Sequence, residues 1–189
     1  HRDLHSFPTR RSSDLRAVNC TGNLKQLGLG VIMYMDDNRE RYPSYYWNGT
    51  AWVPGNGGYK TLVNQYVNAQ KVWECPGRPS GWTGESNSTT WNDVDSTHYI
   101  YNSSYLTSNA NTAVKKPTET LLMGECIRST IWGVDGVTQI WPNEFSGNAN
   151  ARFTFPHNSQ TNVLWADGHV GSVRVNGLLA SYCNPTWIP

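Results

Sequence analysis

The apolar positions of this chain follow two different periods. Between residues 17 and 37, Val18, Leu24, Leu27, Val31 and Met35 recur at three- and four-residue steps, with one wider gap. That is the period of an amphipathic helix packed along one stripe, with Leu24, Leu27 and Val31 as its cleanest run. Gly28 and Gly30 each weaken such a helix by about 1 kcal/mol relative to Ala. Asp36, Asp37 and Asn38 end it, with Asn38 as a C-cap. An aromatic, Gly/Pro-rich loop follows, RYPSYYWNGTAWVPGNGG. YKTLVNQYV (59–67) then predicts a short helix with Leu62, Val63 and Tyr66 inward, and KVWECP (71–76) a short strand closed by Pro76.

Further along, the helical period gives way to strand-like runs. Residues 77–97 form a polar Gly/Ser/Thr/Asn insertion loop, and HYIYNSSY alternates as a strand does. Leu121–Glu125 reads as a buried strand, and STIWGV and VTQIW as weak strands joined by Asp135-Gly136. TNVLWADGHVGSVRV carries the strongest hairpin signal, Asp167-Gly168 between two β-rich runs. A two-residue type I′ turn there sets Ala166 opposite His169. NGLLASYC closes the chain as a short helix. One long helix followed mostly by strands predicts an α+β fold, with the helix packed on a small, mainly antiparallel sheet between long loops.

Composition changes the picture at the start of the chain. Residues 1–15, HRDLHSFPTRRSSDL, have no apolar period and no apolar run of signal-peptide type. They match, in one reading frame, the translation of a common DNA-sequencing adapter. We expect them to be an artefact that stands where the natural N-terminus belongs, and to pack poorly against the rest. The chain has 15 Lys+Arg and 14 Asp+Glu. Arg2, Arg10, Arg11, Asp3 and Asp14 fall in that segment, so the remainder is neutral and gives no electrostatic case for nucleic acid or an anionic membrane. No apolar run reaches membrane-spanning length. A surface polar without charge and rich in aromatics is common among exported proteins.

Cys20, Cys75, Cys126 and Cys183 include no C-x-x-C pair and have no His at ligand spacing, which argues against zinc. An even count in an exported chain implies one or two disulfides with three full connectivities; buried thiols in a cytosolic protein are the alternative.

Two islands carry a family resemblance. One is CTGNLKQLGLGVIMYMDDN with RYP and VWECP after it; the other is HNSQTNVLWADGHV, where nine residues separate His157 from Asp167-Gly168. Together they resemble the prepilin-like proteins of planctomycetes and lentisphaerae that end in an H-x9-DG domain. The resemblance implies a non-enzymatic pilin-like or type II secretion pseudopilin-like subunit of the bacterial cell envelope. Residues 16–38 would be the C-terminal half of its spine helix and residues 39–189 its globular head, with the motif at 157–168. It further implies a lost apolar helix that anchors the subunit in the inner membrane, a prepilin peptidase acting on the precursor, and other pilin-like subunits as partners. Cys20 and Cys75 both lie in the islands, so the resemblance pairs them first and leaves Cys126 with Cys183. A 20–75 bridge would stabilise the head by about 3–4 kcal/mol in the chain-entropy model.

The remaining chemistry is weighed against plainer roles. Asp167 and Gly168 are first a turn, with His169 beside it; calcium at Asp167 is the alternative, though no dense D-x-D-x-D pattern supplies the oxygens it needs. No other cofactor is expected. A bond from the His157 ring to Asp167 or a turn amide would explain their spacing. His157, Asp167 and a hydroxyl from Ser159 or Thr161 lack a nucleophile elbow, and nothing brings Glu125 and Asp135 together as glycosidase carboxylates. Trp73 and Trp165 read as core. Trp47, Trp52, Trp82 and Trp91 lie in loops, which leaves a secreted carbohydrate-binding module as the second reading.

Overall fold

The computed structural model describes residues 7–43, 46–47, 52–53, 58–77, 98–102, 106, 110–125 and 156–174. Among the described residues, besides short 3₁₀ turns, there are two α-helices and six strands: α1 (Phe7–Asp37), β1 (Tyr46–Trp47), β2 (Trp52–Val53), α2 (Gly58–Val67), β3 (Tyr99–Tyr101), β4 (Leu121–Glu125), β5 (Gln160–Trp165) and β6 (Val170–Arg174). The four later strands form one antiparallel sheet in sequence order, β3-β4-β5-β6. The fold is α+β, a long helix laid on a small antiparallel sheet.

Helix α1 starts ten residues earlier than its period predicts. Pro8 sits in the first turn, where its missing N–H costs nothing. Asp14, Leu15 and Arg16, ahead of the predicted start, are exposed. Leu24, Leu27 and Val31 are fully buried, as expected, and Met35 nearly so. Val18 is a correction: it is 66% exposed. Six residues separate it from Leu24, about 1.7 turns, so it cannot share the buried stripe. The glycines weaken the isolated helix but let it approach its neighbours. A Cβ on Gly28 would meet the Leu164 side chain at 3.0 Å, and one on Gly30 would meet Val67 at 2.5 Å. Asn38 is the C-cap, with Arg39 left-handed after it (φ 57°) and the Glu40 N–H donating to the Met35 carbonyl at 2.8 Å. This is the Schellman closure of a helix end.

Helix α2 buries Tyr59, Lys60 and Val63, whereas Leu62 and Tyr66 are only half-buried. Val63 is thus inward as expected, and the rest of the buried face lies one turn earlier along the helix, at Tyr59 and Lys60. The expected strand over 71–76 is instead a 3₁₀ turn, Gln70–Trp73, followed by extended residues. Val72 and Trp73 are both buried, so the local pattern is not the alternation a half-buried strand requires. The aromatic stretch read as a loop holds the β1-β2 ribbon, with Trp47 opposite Trp52.

The β5-β6 hairpin is where expected, but its turn differs. Trp165, not Ala166, pairs with His169: the Trp165 N–H donates to the His169 carbonyl at 2.9 Å, and the Gly168 N–H to the Trp165 carbonyl at 2.9 Å. The connection therefore has three residues, and only Gly168 (φ 90°) takes a left-handed conformation. The cause is the Asp167 side chain. Its Oδ1 accepts the His169 N–H at 3.1 Å, a bond that turns the chain without positive φ at Asp167. The weak strands at 128–141, the terminal helix, Cys126, Cys183, Asp135, Trp82 and Trp91 lie outside the described residues.

Candidate functional site

The polar centre of the head lies where β4 ends. Glu125 follows four apolar or small residues in a strand buried throughout, and its side chain is 1% exposed. Antiparallel pairing of Gly124 with Val163 brings Glu125 beside Thr161 and Asn162 of β5. Four donors converge on its carboxylate. Oε2 accepts the Asn162 N–H at 2.8 Å and the Thr161 hydroxyl at 3.2 Å. Oε1 accepts the Asn162 side-chain amide at 3.2 Å and lies 2.9 Å from His157 Nε2. A buried carboxylate is tolerated only when its lone pairs are met in this way.

His157 is delivered by a tight turn. Asn158 and Ser159 both have positive φ (52° and 61°), and His157 and Gln160 exchange backbone bonds of 3.2 and 3.0 Å. This is the type I′ geometry expected at Asp167-Gly168, found nine residues earlier. It folds His157 back over the start of β5. Its ring lies against Gly77, where a Cβ would collide with it, and Nδ1 has no hydrogen-bond partner among the described residues.

The third component is a disulfide. Cys20, on the buried face of α1, is bonded to Cys75, with a Cα–Cα distance of 5.2 Å. Asn23, one turn along, reinforces the junction by donating to the Glu74 carbonyl at 2.8 Å and lying 3.2 Å from the Tyr99 hydroxyl. Cys75 Sγ is 3.5 Å from Glu125 Oε1 and 3.6 Å from His157 Nε2. All four side chains are buried, and one donor atom from each lies within 4.8 Å of the others.

This arrangement is not a catalytic relay. A relay divides the two ring nitrogens between the acid and the nucleophile. Here Nε2 faces both Glu125 and Cys75, and Thr161 spends its hydroxyl on Glu125. What the geometry provides is a set of donor atoms aimed at one small volume.

The expected bond between His157 and Asp167 is absent, because each has another partner. Asp167 Oδ1 lies 2.6 Å from His169 Nδ1 at the hairpin tip, and the His169 ring stacks on Trp165 at 5.6 Å. Two contacts from His169 thus engage Asp167 Oδ1. Among the described residues, the buried quartet is the one group of three or more His, Cys, Asp or Glu side chains with ligand spacing. Sequence spacing missed it because its members come from α1, the stretch after the 3₁₀ turn, β4 and a turn. The available signal was Glu125 itself, a charge at the end of a strand with no polar alternation.

Trp73 and Trp165 are buried, as read. Comparison with protein-family models, with curated proteins and with solved structures gave no match to this chain.

Proposed function

We propose that this chain is the head and lower spine of a non-enzymatic pilin-like subunit, built into a bacterial cell-envelope filament or a type II secretion-like pseudopilus. The observation that carries the reading is that α1 is apolar on two sides. Cys20, Leu24, Leu27, Val31 and Met35 face the head and are buried. On roughly the opposite side, at 3.6 residues per turn, Val18, Leu29, Ile32 and Met33 are 66, 58, 38 and 43% exposed. A helix with a second apolar stripe is suited to pack against copies of itself while one face holds its own head. No helix among the described residues is long and apolar enough to cross a membrane. The reading therefore requires an apolar helix upstream, inserted in the inner membrane and released by a prepilin peptidase. The Cys20–Cys75 disulfide supports an oxidising, extracytoplasmic location for the head.

Cysteine crosslinking of the full-length precursor in its host tests this. Leu29→Cys paired with Ile32→Cys is expected to give an oxidant-dependent ladder of multimers, and Lys116→Cys with Arg174→Cys, both exposed but outside α1, none. A monomer band alone in the first pair, or a conventional signal peptide in the upstream gene, refutes the assignment.

A further inference from the structure

We propose that Cys20, Cys75, Glu125 and His157 form a tetrahedral zinc site when the Cys20–Cys75 disulfide is reduced. This goes beyond subunit assembly and does not depend on it. Zinc takes sulfur at about 2.3 Å and nitrogen or oxygen at about 2.0–2.2 Å, so the edges of its tetrahedron run about 3.3–3.8 Å. Two edges are already present: Cys75 Sγ to Glu125 Oε1 at 3.5 Å and Cys75 Sγ to His157 Nε2 at 3.6 Å. The third, His157 Nε2 to Glu125 Oε1, is 2.9 Å and has to open by about 0.4 Å. Cys20 Sγ completes the set once its bond to Cys75 is cut, and the two sulfurs then part to about 3.8 Å.

The surroundings suit an ion better than they suit two thiols. Reduction places two buried thiols beside a carboxylate that is already fully engaged. Two thiolates and one carboxylate around a divalent cation leave one negative charge. That charge falls on Glu125, which keeps the Asn162 N–H, the Asn162 side-chain amide and the Thr161 hydroxyl as donors. These are the outer partners that orient a metal-bound carboxylate. Nδ1 of His157, without a hydrogen-bond partner among the described residues, takes up the ring proton when Nε2 becomes a ligand.

The chemistry balances with a dithiol as reductant. It passes two electrons and two protons to the Cys20–Cys75 bond and is itself oxidised to a cyclic disulfide. Zinc then displaces two protons, one from each thiol, into the solvent.

The test uses a Cys126→Ser/Cys183→Ser chain, which leaves two cysteines. Zinc is titrated into the oxidised and the dithiol-reduced forms, and cobalt(II) into the reduced form for spectroscopy. We expect one ion per reduced chain, bound at least about 100-fold more tightly than by the oxidised chain, with two protons released per ion. Cobalt is expected to show thiolate charge-transfer and tetrahedral ligand-field bands. His157→Gln should weaken uptake by about 10-fold or more while leaving the cobalt–thiolate bands. If reduction alone loosens the fold, zinc is expected to restore the far-ultraviolet dichroism. Equal uptake by both redox forms, cobalt spectra without thiolate bands, or a reduced chain that neither binds nor refolds overturns the proposal.

Discussion

Glu125 is the residue whose removal should do most harm to the head. Glu125→Ala takes away one acceptor group and strands four buried donors: the Asn162 N–H, the Asn162 side-chain amide, the Thr161 hydroxyl and His157 Nε2. Each buried donor without an acceptor costs about 1–3 kcal/mol. The costs do not add in full, because the imidazole can rotate and a water can enter the vacated space. We expect a loss of about 3–5 kcal/mol, a large part of the stability of an ordinary domain. At about 2–4 °C per kcal/mol for a chain of this size, the melting temperature falls by roughly 6–20 °C.

Thr161→Val removes one donor and leaves the carboxylate its other three, so it should cost only about 1 kcal/mol. Glu125→Gln should fall between the two, because its amide NH₂ must face at least one of the donors. Urea unfolding at constant m measures all three on one scale. The reasoning fails if Glu125→Ala lies within about 0.5 kcal/mol of the parent, or if Thr161→Val costs as much.

Four further outcomes are expected. Cys20→Ser/Cys75→Ser opens a bridge spanning 55 residues and should cost about 4 kcal/mol in the chain-entropy model; an unchanged urea midpoint under non-reducing conditions contradicts it. Leu27→Ala, at a fully buried site, should lose about 2–5 kcal/mol, and a loss below about 1 kcal/mol would show that the α1 stripe is not core. Gly168→Val has room for its side chain, since the nearest atom to a Cβ is Ile32 Cδ1 at 3.6 Å. Its cost, about 1–3 kcal/mol, is therefore that of a β-branched residue at φ 90°, and a thermal melt that does not move refutes the turn assignment. Burial first, with Tyr42 and Tyr34 adding to it, raises the Tyr101 phenol well above the ordinary tyrosine value of 10.0. Its contribution to stability is complete below about pH 10 and lost as pH rises through the folded value, because the unfolded chain releases that proton first. Tyr101→Phe should flatten this alkaline loss in pH-dependent urea unfolding, and an identical alkaline limb in both proteins rules the explanation out.

Much of the architecture was legible because it rests on local pattern alone. The Leu24-Leu27-Val31 stripe expresses a 3.6 repeat, the buried strand Leu121–Glu125 a continuous apolar run, and the hairpin around Asp167-Gly168 a turn dipeptide between β-rich runs, and none of these needs a partner to be read. The errors arose where a partner decides. The Asp167 side chain selected a three-residue turn over the type I′ form, and Asn158-Ser159, with no glycine, adopted the type I′ form instead. KVWECP had strand-like residues, but Trp73 is held by the Asn64 side chain at 3.1 Å and by α1 packing, which favour a 3₁₀ turn. For the site, spacing linked His157 to Asp167, its neighbour along the chain. The true neighbour, Glu125, is set by the β4-β5 register, and a single sequence does not print strand register.

The packing of α1 against β5 also sets a timetable for the chain's synthesis. The Asn162 amide donates to the Ala17 carbonyl at 3.3 Å, across 145 residues, and Leu164 fills the notch at Gly28. A ribosome adding about 5–20 residues per second leaves α1 waiting about 7–30 s before β5 exists to cover it. Throughout that interval α2 and the 3₁₀ turn can cover only part of the helix's inner face, so the head closes only once β5 has been made.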